Sequence, residues 1–173
     1  MSKRMLTTRS LCLGAVIAAL YAALTWFLAP ISYGPVQCRL SEALTLLPVL
    51  VPQAIPGLTV GCLIANVAGL ASGLTTIWDV IFGTLATLLA AVATWATRNM
   101  TVSKARLPIV SALWPVVANG IIVGLVLTLT LNLPFVLTAL EVAAGEIVAT
   151  ALGVVMIWAL RKTSFDFDKL ARG

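Results

Sequence analysis

The chain has 173 residues, 61% hydrophobic and 10% charged, with a net charge of +5 and no histidine. Apolar runs of about twenty residues recur along it, which excludes a soluble globular domain and describes a polytopic membrane protein. The basic residues flank those runs, so they report topology rather than affinity for nucleic acid.

The first apolar run follows Lys3, Arg4 and Arg9, as in a signal peptide. It exceeds the roughly 7–15 residues of a signal core and further spans follow, so it reads as a retained first helix, Ser10 to Leu28, ended by Ala29-Pro30. The loop Ile31 to Cys38 holds the turn signal Tyr33-Gly34-Pro35. A second helix, Arg39 to Val51, is short for a crossing at about 1.5 Å per residue. The third runs from Ile55 to Ala71, the fourth from Thr76 to Thr97, the fifth from Pro108 to Leu131 and the sixth from Pro134 to Leu160. Six crossings with an inner N-terminus put every lysine and arginine except Arg39 in the cytoplasm. Five crossings would move Arg98, Lys104 and Arg106 outside, against the positive-inside rule. The expectation is therefore a single all-α integral membrane domain over residues 1–173. It has six transmembrane helices, a basic cytoplasmic N-terminus (about 1–9) and a cytoplasmic tail (about 161–173).

With that topology Glu42 and Asp79 start helices at the outer surface, and Glu141 and Glu146 lie within the sixth helix. A lipid-facing acid near mid-bilayer costs about 2.5–3.5 kcal/mol, so Glu141 and Glu146 are expected to face inward. Four carboxylates against Arg39 in the outer half favour a ligand that is cationic or rich in hydrogen-bond donors. Arg39 and Glu42 sit three apart, where a helix lets them touch. They read either as an interfacial ion pair or as the mouth of a small-molecule site, with Tyr33, Gln37 and Ser41 supplying further polar groups.

Thr76-Ile77-Trp78-Asp79 fits a capping box, with Asp79 reaching back to Thr76. Trp78 reads as part of the interfacial aromatic belt, with Trp26, Trp95 and Trp158, or as a stacking wall for a planar ligand. Glu141 and Glu146 point about 140° apart on a regular helix. Glu141, nearer the outside and on the face of Gly145, Ala149 and Gly153, is the favoured ligand contact. Asn66 and Asn119 are buried amides, either interhelical links or ligand contacts. Small residues recur at four-residue steps: Ala15, Ala19 and Ala23; Gly57, Gly61, Ala65 and Gly69; Gly145, Ala149 and Gly153. Such stripes serve close helix packing or, on the first helix, a partner protein. Cys12 and Cys62 read as small core residues, and Cys38 lies near the mouth without a disulfide partner. No metal cluster, nucleophile–base arrangement or phosphate-binding glycine loop is present, which argues against an enzyme and against ATP bound by this chain.

The stretch Arg39-Leu-Ser-Glu-Ala-Leu-Thr-Leu-Leu-Pro48 resembles the QueT family of queuosine-precursor transporters. The resemblance continues through Ala54-Ile-Pro-Gly57, Gly61-Cys-Leu-Ile-Ala-Asn66, Asp79-Val-Ile-Phe-Gly-Thr-Leu-Ala-Thr-Leu89, and Leu133-Pro-Phe135 leading to Glu141 and Gly145-Glu146. Cys38 stands where an aromatic residue is expected. The resemblance implies the substrate-binding S-component of an energy-coupling factor (ECF) transporter in a bacterial cytoplasmic membrane. It implies partners too: a transmembrane coupling subunit, docked on Ala15, Ala19 and Ala23, and two ATPase subunits that hydrolyse ATP, with no cofactor in this chain. The implied solute is 7-aminomethyl- or 7-cyano-7-deazaguanine, with Tyr33, Arg39, Glu42, Trp78, Asp79, Asn119, Glu141 and Glu146 as candidate contacts, Glu42 and Glu141 foremost. The alternatives are an S-component for another cation such as thiamine, a non-transporting membrane interaction protein, and a proton-coupled carrier acting through Glu141 or Glu146.

Overall fold

The first helix, α1 (Thr8–Phe27), starts on Thr7, whose hydroxyl accepts the Ser10 amide at 3.2 Å. The computed structural model describes residues 7–33, 38–102, 107–163 and 167. The expected turn at Gly34-Pro35, Gln37, Lys3, Arg4, Lys104, Arg106, Lys169 and Arg172 lie outside the described residues. After α1 comes a single helical turn, α2 (Ala29–Ser32), entered through Pro30. The chain continues as a 3-10 helix (Leu40–Val49), α3 (Ala54–Ala71), a π-helical turn (Asp79–Gly83) leading into α4 (Thr84–Ala96), α5 (Ile109–Leu131) and α6 (Phe135–Lys162). Asn132, in the left-handed conformation at φ 55°, ends α5.

Among the described residues, five helical stretches are long and apolar enough to cross a membrane: α1, α3, Asp79–Ala96, α5 and α6. The segment expected as a second crossing helix differs. It is a 3-10 helix of 10 residues that begins at Leu40 and leaves Arg39 outside in extended backbone. At about 2.0 Å rise per residue it is roughly 20 Å long, shorter than the roughly 30 Å hydrocarbon layer. It is the hub of the bundle, packed against α1, α3, α4, α5 and α6. Three residues per turn stack Glu42, Thr45 and Pro48 on one buried edge and bury Leu46 and Val49 beside it.

Glycine sets how close the helices come. A methyl on Gly57 would stand 2.6 Å from the Gly14 carbonyl oxygen, and one on Gly61 2.8 Å from that of Ala18, so α3 lies on α1 backbone to backbone. A methyl on Gly153 would meet the Ala43 carbonyl oxygen at 2.6 Å, seating α6 on the 3-10 helix. The stripes of α3 and α6 are thus internal packing. On α1 the buried face carries Ile17, Ala18, Tyr21 and Thr25, whereas Ala15, Ala19 and Ala23 are all exposed. Cys12, expected in the core, is exposed as well, because it falls on the outer side of that helix. Cys62 is fully buried. Arg98 covers the Trp95 ring at 4.6 Å and Lys162 the Trp158 ring at 3.7 Å, an aromatic ring with a cation at the C-terminal ends of α4 and α6, as membrane interfaces favour.

Candidate functional site

The charged residues of the interior converge where the 3-10 helix begins. Arg39, held in extended backbone at its N-cap, is 4% exposed. Its Nε donates to the Ser32 carbonyl oxygen at 3.3 Å and its guanidinium lies over the Tyr33 ring, 5.5 Å from the centroid. Tyr33 is itself fixed, its hydroxyl donating to the Ala65 carbonyl oxygen at 2.8 Å. Arg39 Nη2 is buried with no hydrogen-bond partner.

Glu42, in the first turn of the 3-10 helix, is 1% exposed. Its Oε1 accepts from the Tyr21 hydroxyl of α1 and from Thr87 Oγ1 of α4 at 3.0 Å, while Oε2 is buried and unpartnered. The 3-10 register also brings Thr45 Oγ1 to the Glu42 carbonyl oxygen at 2.5 Å. Arg39 Nη2 and Glu42 Oε2 therefore do not pair with each other, both staying unpartnered. Arg39 is not in the helix, so the shared-face rule does not reach it; their attraction acts through space.

Glu146, on α6, is 2% exposed and lies within electrostatic reach of both Glu42 and Arg39. The Asn119 amide of α5 stands within reach of both carboxylates, but Asn119 Nδ2 and Glu146 Oε2 are buried without a hydrogen bond of good geometry. On α3, Asn66 Nδ2 donates to the Asp79 carbonyl oxygen at 3.1 Å and leaves Oδ1 unpartnered. Gly83 of the π turn lets that amide and the Arg39 guanidinium come close: a methyl there would stand 3.1 Å from Asn66 Nδ2 and 4.0 Å from Arg39 Nη1. Cys38 borders the cluster, its Sγ 3.6 Å from the Gly145 carbonyl oxygen. Burial pushes the Cys38 thiol above its ordinary value, and the Glu146 carboxylate adds to the shift.

The structure thus brings together Tyr33, Arg39, Glu42, Asn119 and Glu146 of the expected contacts. The Asp79 carboxylate is spent on the capping box, where Oδ2 accepts the Thr76 amide and hydroxyl, each at 2.7 Å. Trp78 is half-exposed and stacks on Phe82 at 6.0 Å. With Val126, Leu129 and Thr130 these two rings line a surface cavity of about 340 Å³. Glu141, expected to face inward, is half-buried, and no hydrogen bond found among the described residues of the cluster reaches it. Tyr21 and Thr87 were not anticipated. The signal for Tyr21 was its spacing on α1, with Ile17, Ala18 and Thr25 forming one helical face.

Buried polar atoms are normally paired, and each one left unmade costs about 1–3 kcal/mol. Here acceptors on Glu42, Glu146 and Asn66 and donors on Arg39 and Asn119 are left open in one dry region. A polar solute would supply the partners that these atoms lack.

A family model described as QueT transporter matches residues 11–162. Queuosine precursor transporter QueT of Lactococcus lactis subsp. cremoris (strain MG1363) is 42% identical over 78 residues, which cover 43% of this chain and 43% of that protein. No solved structure matches. The family match runs from within α1 to the last residue of α6, and with the apolar helices it identifies a multi-pass membrane protein: the chain belongs to the QueT transporter family.

Proposed function

We propose that this protein captures a queuosine precursor, a 7-deazaguanine, at the cluster of Arg39, Glu42, Glu146, Asn119, Asn66 and Tyr33. The observation that carries this reading is the set of buried, unpartnered atoms: Arg39 Nη2, Asn119 Nδ2, Glu42 Oε2, Glu146 Oε2 and Asn66 Oδ1. A deazaguanine alternates a ring carbonyl with ring N–H and amino donors, which is the complement of such a set. Arg39 Nη2 donates to the carbonyl, and Glu42 Oε2 accepts from the ring edge. Tyr33, already stacked under the guanidinium, closes the apolar side of the base. The family membership and the Lactococcus lactis relative's printed function support the same substrate class.

In the same reading the chain is the S-component of an ECF importer in a bacterial cytoplasmic membrane, with both termini inside and the short 3-10 helix, together with the residues flanking it, serving as a sixth crossing beside the five long spans. The exposed Ala15, Ala19 and Ala23 take the coupling subunit, and two partner ATPases supply the energy. Glu141, Asp79 and Trp78 are left out of the pocket.

The test is a calorimetric titration of the purified protein with 7-aminomethyl- and 7-cyano-7-deazaguanine, against guanine, thiamine and biotin. Saturable binding of a deazaguanine, weakened in Glu42→Gln, is the expected result. Binding of thiamine alone would replace the substrate, and no binding by folded protein would refute the reading.

A further inference from the structure

The buried charges of the cluster do not balance. Arg39 contributes one positive charge, and Glu42 and Glu146 contribute two negative ones when ionised; all three are at most 4% exposed. The other described groups that face them are Tyr21 from α1, Tyr33 after α2, Cys38 before the 3-10 helix, Cys62 and Asn66 from α3, Thr87 from α4 and Asn119 from α5. None of these is a cation. An uncompensated charge in a buried site is costly, so the second acid is neutral unless one further positive charge enters to pair with it.

The two acids are not equivalent. Glu42 Oε1 is already held by the Tyr21 and Thr87 hydroxyls, and its charge is nearest in sequence and electrostatics to Arg39. Glu146 has the neutral Asn119 amide beside its carboxylate, and its Oε2 has no partner. Glu42 is thus the acceptor that Arg39 chiefly compensates, and Glu146 the one that shares the same single cation with Glu42.

We infer that Glu146 is the counter-ion of the solute, and that the site selects a planar base carrying a protonated amine over the analogue carrying an uncharged nitrile. The inference rests on the reading above for the base and adds which member of the class is taken and which residue decides it. A nitrile in the amine's place gives Glu146 no cation to pair with.

The experiment compares 7-aminomethyl- with 7-cyano-7-deazaguanine by calorimetry on the full chain, as wild type, Glu146→Gln and Glu146→Asp, with thermal melts to establish folding. Wild type is expected to prefer the aminomethyl base by about tenfold or more, as a buried charge pair allows. Glu146→Gln should lose about 30-fold or more for the aminomethyl base and about tenfold less than that for the cyano base, erasing the preference. Glu146→Asp keeps the charge and should keep the preference. Equal wild-type affinities, or a Glu146→Gln loss that is the same for both bases, would overturn the inference while leaving the deazaguanine reading intact. If neither base binds but thiamine, another organic cation, binds and is lost in Glu146→Gln, the charge assignment stands and the base reading fails. If thiamine too does not bind, both fall.

Discussion

Tyr21, on the buried face of α1, donates its phenol hydrogen to the Glu42 carboxylate of the 3-10 helix. The bond ties the helix that presents Ala15, Ala19 and Ala23 outward to the acid at the centre of the site. Tyr21→Phe keeps the ring and its packing but leaves Glu42 Oε1 with Thr87 as its remaining donor. A hydrogen bond to a charged group is worth about 1.5–3 kcal/mol, so precursor affinity should fall by about 10- to 100-fold with folding intact. Calorimetry and a thermal melt check both halves.

Arg39 is held by the geometry of its fork, with Nε on the Ser32 carbonyl and the guanidinium plane over Tyr33. Lysine preserves the charge and loses both features. Arg39→Lys should weaken precursor binding by about tenfold or more, the cost of a lost charge-assisted hydrogen bond. Binding restored to wild-type strength by lysine would show that charge alone matters there.

Cys38 reports the mouth of the site. Its thiol titrates above the ordinary 9.0 because of burial and of Glu146, so its thiolate fraction at neutral pH is below that of a free cysteine. Maleimide labelling in a Cys12→Ser background should be slow at pH 7 and keep accelerating as the pH rises past 9.0, with bound precursor slowing it further. Cys62 is fully buried and should stay silent. A labelling rate that levels off below pH 8 would contradict this placement.

Two glycines separate close packing from backbone conformation. Gly153→Ala drives a methyl to 2.6 Å from the Ala43 carbonyl oxygen, whereas Gly73 has a positive φ of 72° and open space around it. Overpacking costs about 1–3 kcal/mol and can misseat α6, which carries Glu146. A non-glycine residue in the left-handed region costs about 1–2 kcal/mol and touches nothing else. Both variants should melt earlier, but precursor affinity should fall in Gly153→Ala and hold in Gly73→Ala.

The exposed alanine stripe gives the last prediction. Ala19→Trp adds bulk on the outer face of α1, away from Tyr21. Under the proposed S-component role, precursor binding by the isolated protein should be unchanged, while uptake by cells supplied with an ECF coupling subunit and its ATPases should be abolished. Uptake at the wild-type rate would remove the stripe from the docking surface.

Much of this was legible in the sequence. Apolar period and proline placement gave the helices, and Thr76 with Asp79 gave a capping box that the structure contains. Arg39 and Glu42 stood out as charges in an apolar setting, and they do lie at the centre of the polar cluster. The choice of Glu141 over Glu146 rested on the small-residue face. The buried stripe of α6 is broader, running through Val142, Gly145, Glu146, Ala149, Thr150 and Gly153, and Glu146 sits in its middle while Glu141 lies at its margin. The 3-10 register was not legible either. Hydrophobic pattern over ten residues does not separate three from 3.6 residues per turn, and that difference decides which groups meet Glu42. Tyr21 and Thr87 were hidden for a related reason, since which hydroxyl meets a carboxylate depends on how helices distant in sequence are rotated.

The polar cluster draws its groups from the 3-10 helix and from α1, α3, α4, α5 and α6 together. No subset of helices contains it, so it exists only while the whole bundle is closed. Solute occupancy and bundle integrity are therefore one linked equilibrium: a solute at a hundred times its Kd adds about 2.7 kcal/mol to the closed state. Thermal resistance in detergent then serves as a binding assay with no label, and an empty carrier is the form most exposed to disassembly and proteolysis.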